Sequence, residues 1–297
     1  MRPLAALGAL GAAALLLTAA PVARANPCGP VPDTVILFDR SGSMTQYSGS
    51  QTKWGIATMA VNYVTSTYDA QFRWGLMLFS RWPHLKNCSS GQINVGVKTY
   101  NASAIATVLG SAYPLGDTPI ALSLDAARAY LKTVKKSGTP QYVLLITDGK
   151  ETCQPASVNS PPTAAGKLLS DGVKTYVVGF GSGVDPTSLK NTAVAGGTGN
   201  YYAASDLSGL KTVLGKIAAA ISCCGDGKLD TGEKCDTAIP PPGAGSCPAT
   251  CGDGNPCTSD FKVGKACQQE CVFQAITKPI NGDGCCPPGA TSATDSD

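Results

Sequence analysis

The chain has 297 residues, 13 cysteines, one histidine and a formal net charge of +3. This length is enough for one large domain or two smaller ones with buried cores, and a charge so close to neutral argues against nucleic acid as a partner. A single histidine argues against a metal site built from imidazoles, and the many cysteines argue against a reducing compartment.

The first segment, residues 1–25, has the features of a secretory signal peptide. Arg2 provides a positive start, residues 4–20 are apolar, and Ala23-Arg24-Ala25 is a small-residue cleavage site. We predict cleavage after Ala25, with an uncleaved membrane anchor as the alternative. No later run reaches the ~18 apolar residues of a membrane-spanning helix. We therefore expect a secreted or cell-surface protein, the periplasm and outer membrane included, with no transmembrane segment after cleavage.

Composition divides the rest of the chain near residue 223. Residues 26–222 contain three cysteines and carry a net charge of +6, whereas residues 223–297 contain ten cysteines and carry a net charge of −5. Such a change in both cysteine content and charge predicts two domains that are stabilised in different ways.

The first of these domains, residues 26–222, alternates strand-like and helix-like patterns. Apolar runs predict strands at 35–38, 72–80, 142–146, 173–180 and 200–204, and alternation at 93, 95 and 97 predicts a half-exposed edge strand. Helical spacing and capping residues predict helices over 54–68, 119–134 and 186–195 and a last one after Ser205. Regular alternation predicts an α/β fold with a doubly wound, mostly parallel sheet and helices on both faces.

Oxygen-bearing side chains occur at the predicted carboxyl ends of strands, where ligands bind in such folds. The set consists of two carboxylates and three hydroxyls: Asp39, Ser41, Ser43, Thr118 and Asp148. Thr118 is also expected to cap a helix. Hard oxygen donors suit Mg²⁺ or Mn²⁺ and do not suit Zn²⁺. We predict a divalent metal site that keeps one coordination position for a carboxylate of a protein partner.

The pattern Asp39-x-Ser41-x-Ser43, with Thr118 and Asp148, resembles the metal-ion-dependent adhesion site of the von Willebrand factor type A family. The segments VILFDRSGSM, LGDTPIALSL, YVLLITDGKET and AVAGGTGNYYAASD are also similar to that family, and the similarity extends over residues 32–221. The resemblance implies that the five residues bind the metal directly or through water. It also implies metal-dependent protein binding and adhesion rather than catalysis.

Patterns of enzymes are incomplete in this chain. Residues 179–183 follow a strand, but Val184 stands where a dinucleotide-binding fingerprint needs glycine or alanine. Neither a phosphate-binding loop nor a nucleophile elbow is present, and His84 is expected at the surface of a polar loop. We predict that the protein is not an enzyme. Two alternatives remain: a matrix or coat component whose metal only stabilises loops, and a metal-assisted hydrolase.

The cysteine-rich segment, residues 223–297, is expected to depend on disulfides instead of an apolar core. The sequence CGDG at 224–227 recurs at 251–254, and the segment resembles the cysteine-rich repeat modules of secreted myxobacterial proteins. Its Asp-Gly pairs favour turns. A Ca²⁺ site that includes Asp226, Asp230 and Glu233 is the alternative.

Two disulfide pairings can be argued from the sequence. Cys28 is expected to pair with Cys223 or Cys224, because domain termini tend to lie close together. Cys88 and Cys153 follow strand ends at the predicted metal edge, so a bridge between them would stiffen the rim of the site.

Overall fold

The structure is a computed structural model that describes residues 30–81, 88–153, 159–222, 224–225, 227–229, 233–291 and 294–296. The predicted leader, Cys28, His84 and Cys223 lie outside these ranges. Within these ranges, no helix has both the length and the apolar character needed to cross a membrane.

Ten strands and six α-helices follow one another along the described chain. The strands are β1 (Asp33–Asp39), β2 (Tyr47–Ser48), β3 (Gln51–Thr52), β4 (Arg73–Phe79), β5 (Gln92–Lys98), β6 (Gln141–Thr147), β7 (Val173–Phe180), β8 (Tyr202–Ala204), β9 (Thr258–Val263) and β10 (Glu270–Ala275). The helices are α1 (Lys53–Thr67), α2 (Ala102–Ser111), α3 (Ile120–Val134), α4 (Pro161–Ser170), α5 (Pro186–Ala195) and α6 (Leu207–Ser222).

Six of the strands form one sheet in the order β5-β4-β1-β6-β7-β8. All neighbours run parallel except β4 and β5, which are antiparallel. Strand β1 lies in the middle, and the chain continues from it first towards β4 and later to β6 on its other side. This arrangement confirms the predicted doubly wound α/β fold, including the half-exposed edge strand β5. It also places the topological switch point between β1 and β6.

The core consists of two apolar layers, one on each face of this sheet. Successive residues of β1 point to opposite faces: Ile36 and Phe38 pack with α1, α2 and α6, whereas Val35 and Leu37 pack with α3, α4 and α5. All four side chains are fully buried. Burial on both faces explains why residues 35–38 form a continuous apolar run in the sequence. Packing on both sides also fixes the position of Asp39, the last residue of the strand.

The helix caps differ from prediction at two places. Thr118 does not cap α3 through its hydroxyl, because the N-cap position falls on Pro119 and makes no side-chain hydrogen bond. Ser205 does not cap α6 either, because the carboxylate of Asp206 accepts the backbone N–H of Gly209 at 2.8 Å. The capping prediction for both residues was wrong by one position, and the Thr118 hydroxyl is left available for other contacts.

Disulfides dominate the cysteine-rich segment. It contains the pairs Cys224–Cys267, Cys235–Cys247, Cys251–Cys271 and Cys257–Cys285 around the antiparallel hairpin β9–β10. Because Cys224 is bonded to Cys267, the alternative that joins Cys28 to Cys224 is wrong. The fold of the segment brings together these two cysteines, which are 43 residues apart in the sequence.

One buried carboxylate organises the start of this segment. Asp236 is fully buried and accepts backbone N–H groups of Gly225, Gly227 and Ala238. Two of the residues offered for the Ca²⁺ site, Asp226 and Asp230, lie outside the described ranges, so that site stays a prediction.

Candidate metal centre

The predicted site lies at the carboxyl end of β1, beside the topological switch point. Asp39 is the last residue of β1, and Asp148 follows the last residue of β6, which pairs with β1 in parallel. Open α/β sheets bind ligands in this crevice because the connections on either side diverge there. The two predicted carboxylates are thus brought to one edge by neighbouring strands.

Asp39 is fully buried and held at both oxygens. Its Oδ1 accepts the backbone N–H of Ser41 at 2.7 Å, and its Oδ2 accepts the Thr147 hydroxyl at 2.5 Å. Burial, and secondly the nearby Asp148 carboxylate, raise the pKa of Asp39 to about 7, although the hydrogen bonds from Ser41 and Thr147 act in the opposite direction. A cation at this place would relieve both unfavourable effects.

Asp148 is almost completely buried and has a different partner at each oxygen. Its Oδ1 accepts the Ser43 hydroxyl at 2.6 Å, and the Ser43 and Ser41 hydroxyl oxygens lie 3.0 Å apart. Its Oδ2 accepts the Lys53 ammonium at 2.7 Å. The loop after β1 and the end of β6 are therefore linked directly through their polar side chains.

Thr118 approaches from the loop before α3. Its backbone N–H donates to the Thr152 hydroxyl at 2.8 Å, and its carbonyl accepts the Thr152 N–H at 3.2 Å. A methyl group at Gly149 would lie 3.6 Å from Ser43 Oγ and 4.0 Å from Thr118 Oγ1. The two hydroxyls therefore border the same small space, which a residue larger than glycine at 149 would fill.

Four of the five predicted ligands line one cleft of about 360 Å³, namely Ser41, Ser43, Thr118 and Asp148. The fifth, Asp39, is fully buried and does not line the cleft, but it accepts the backbone N–H of Ser41, which does. Two carboxylates and three hydroxyls are hard donors. Lys53 pairs with Asp148 and compensates one of the two buried negative charges, so the site has room for a further cation. The residues present thus fit a divalent ion. Neither a histidine nor a cysteine is among the described residues that line this cleft.

A disulfide closes the rim of the cleft. Cys88 and Cys153 are joined as the sequence favoured, and Cys88 Sγ lies 3.9 Å from the Asp117 carboxylate. Cys153 directly follows Thr152, which holds Thr118. The bridge therefore connects the loop after β4 to the residues that fix the Thr118 backbone.

Three polar residues of the site were missed in the sequence. Thr147 holds Asp39, and Lys53 and Gln46 meet beside Asp148, with Lys53 Nζ 2.9 Å from Gln46 Oε1. Lys53 is the first residue of α1, where an apolar pattern starting at Trp54 gives no sign of a buried charge. The only available signal is the proximity of Lys53 to the loop that carries Ser41 and Ser43.

Comparison with known proteins places these features in a wider context. The family model for the von Willebrand factor type A domain matches residues 33–216. The protein YwmD of Bacillus subtilis, described as uncharacterized, is 32% identical over 182 residues, which cover 58% of this chain and 79% of YwmD.

Two solved structures share the fold at low identity. Proximal thread matrix protein 1 from the mussel byssus, solved with a zinc-occupied MIDAS motif, has a TM-score of 0.52 and 22% identity over 67% of this chain. The pilus adhesin SpaC of Lactobacillus rhamnosus GG, in an open conformation, has a TM-score of 0.50 and 18% identity over 64% of this chain. The match spans 50% of the mussel chain and 30% of the adhesin chain.

Proposed function

Because the chain belongs to the von Willebrand factor type A family, we propose that its first domain binds a protein partner through a divalent metal ion. The observation that carries this proposal is that Ser41, Ser43, Thr118 and Asp148 line one cleft at the switch point of the sheet, where the buried Asp39 carboxylate accepts the backbone N–H of Ser41. The metal proposed is Mg²⁺, with Mn²⁺ as its substitute, because every predicted ligand atom is a hard oxygen.

Each residue has a distinct part in this proposal. Asp39 and Asp148 supply negative charge, and Ser41, Ser43 and Thr118 supply neutral oxygens, so the ligand set does not cancel more than the charge of one divalent ion. A bound ion then supplies an electrophilic position for a carboxylate of the partner. The hydrogen bonds from Ser41 and Thr147 hold Asp39 in place before the partner arrives.

Two proteins with the same fold are consistent with this proposal. The mussel protein has a zinc-occupied MIDAS motif and the Lactobacillus protein is a pilus adhesin, so the fold serves in matrix and adhesive proteins. Among the described residues that line the cleft there is no histidine or cysteine, and Asp117 is the one carboxylate besides the predicted ligands. A binding role is therefore proposed here rather than an enzymatic one.

The cysteine-rich segment supports a location outside the cytoplasm. Its four disulfides are typical of proteins that mature in an oxidising compartment. The proposal is that residues 1–25 direct export, that the mature protein acts at or beyond the cell surface, and that residues 223–297 form a repeat module of the myxobacterial kind.

An array of peptides with a single glutamate tests the proposed recognition. We expect binding to a subset of the peptides in Mg²⁺ that disappears in chelator, when glutamate is replaced by glutamine, and in the Asp39→Ala variant. Asp117→Asn is the matched control, since it removes one carboxylate beside Thr118 and is expected to keep binding. Peptide binding that survives in chelator would contradict the proposal.

A further inference from the structure

A buried lysine shares a carboxylate with the predicted metal site. The side chain of Lys53 is 7% exposed, and its ammonium donates to Asp148 Oδ2 at 2.7 Å and to Gln46 Oε1 at 2.9 Å. The backbone N–H of Lys53 donates to the Gln46 carbonyl at 2.8 Å. The lysine is thus fixed at both ends, and its charge faces the carboxylate that Ser43 contacts from the other side.

The loop after β7 is shaped around this lysine. Gly181 has φ +83°, and a methyl group there would lie 3.2 Å from Lys53 Cε. A methyl group at Gly183 would lie 3.7 Å from Lys53 Nζ and 3.1 Å from the Asp148 carbonyl oxygen. These two glycines therefore allow the backbone of the loop to lie close against the Lys53 side chain and the Asp148 carbonyl group.

The charges of the site have a direct consequence. With both carboxylates ionised, Asp39 and Asp148 contribute two negative charges and Lys53 one positive charge. The site alone is then negative by one unit, and a divalent ion makes it positive by one unit. Since the lysine is buried, solvent screens its repulsion of a second cation only weakly.

We propose that Lys53 is a built-in cation that positions Asp148 and sets the metal affinity of the site. It pairs with Asp148 when no metal is bound, lowers the affinity for divalent ions, and leaves the occupied site with one positive charge for an anionic partner. This inference depends on the proposed metal site and deepens it. Breaking such a buried pair by removing one partner leaves the other charge uncompensated.

The test compares Lys53→Met with Lys150→Met in the full chain. Lys150 is exposed and lines the same cleft, so its loss removes the same charge where water screens it. Mn²⁺ binding is titrated by electron paramagnetic resonance, and thermal unfolding is followed in chelator and in saturating Mn²⁺. Lys53→Gln is the second variant, because it keeps a hydrogen-bond donor while it removes the charge.

We expect Lys53→Met to bind Mn²⁺ at least tenfold more tightly than the wild type, whereas Lys150→Met changes the affinity less than threefold. In chelator, Lys53→Met is expected to unfold at a lower temperature than the wild type, and saturating Mn²⁺ to restore much of the difference. Lys53→Gln is expected to show the same increase in affinity. Unchanged or weaker Mn²⁺ binding in both folded Lys53 variants would overturn the inference.

The outcomes also separate this inference from the proposed function. Mn²⁺ binding by the wild type without a gain in the Lys53 variants would refute the role of Lys53 alone. If neither the wild type nor any Lys53 variant bound Mn²⁺, both the metal site and the role of Lys53 would be refuted.

Discussion

The disulfide between Cys88 and Cys153 is expected to stabilise both the α/β fold and the cleft of the proposed metal site. The two cysteines are 65 residues apart, and a loop of this length restricts the unfolded chain by about 4 kcal/mol in the chain-entropy treatment. For a domain of this size, that corresponds to a fall of roughly 8–16 °C in the unfolding midpoint when both are replaced by serine.

The same change is expected to weaken metal binding. Cys153 follows Thr152, whose hydroxyl and N–H hold the Thr118 backbone. Once the bridge is absent, this loop gains freedom that metal binding must remove, so Mn²⁺ affinity should fall severalfold.

Tryptophan fluorescence is a suitable assay, because all three tryptophans lie within residues 26–222. Replacement of Cys251 and Cys271 by serine is the matched control, since that pair lies in the cysteine-rich segment. The control should leave the tryptophan-detected midpoint unchanged. A midpoint within about 2 °C of the wild type after loss of the Cys88–Cys153 bridge would show that the bridge does not stabilise this part of the chain.

Three further predictions concern the sheet and its helices. The hydrogen bond from Arg128 holds the pKa of Asp171 below its ordinary value of 3.8. The ion pair therefore stabilises the fold above that pH, and this stabilisation is lost as the pH falls through the lower pKa of the folded state. Asp171→Asn should lower the thermal unfolding midpoint at pH 7, and the difference from the wild type should vanish in acid. Phe38→Ala removes a fully buried ring stacked 5.0 Å from Trp54 and should cost about 3–5 kcal/mol in urea unfolding. Asp185→Ala, which removes the carboxylate that caps α5 at Ser188, should cost about 1 kcal/mol in the same assay, whereas no loss would show that the cap is not used.

The parts of the fold with strong apolar patterns could be predicted from the sequence. Strands β1 and β6 are buried on both faces and therefore contain unbroken apolar runs, and β7 has such a run in its second half, after the exposed Lys174. Helices α2 and α4 were not predicted. Among the residues of α2 only Ile105 and Leu109 are buried, and α4 begins with two prolines that suggest a loop and buries mainly small side chains. A short helix with a narrow apolar face gives too weak a periodicity to be recognised alone.

The site was predictable where the residue types themselves indicate the chemistry. Asp39 and Asp148 follow apolar strands, so their place at the sheet edge follows from the order of elements. The burial of Lys53 could not be predicted in this way. It depends on a carboxylate far along the chain, Asp148, and on the close approach of a loop that contains Gly181 and Gly183. The predicted pairing of Cys224 with Cys28 was wrong for a related reason, because the true partner, Cys267, depends on the path of the chain through the cysteine-rich segment.

The predictions for Lys53 and for the Cys88–Cys153 bridge depend on a divalent ion held together by Asp39, Ser41, Ser43, Thr118 and Asp148. Titration of Mn²⁺ into the wild type, Asp39→Ala and Asp117→Asn tests this metal site most directly. We expect one binding site per chain in the wild type and in Asp117→Asn, and loss of that site in Asp39→Ala. Equal Mn²⁺ affinity in the wild type and Asp39→Ala would contradict the proposed metal site.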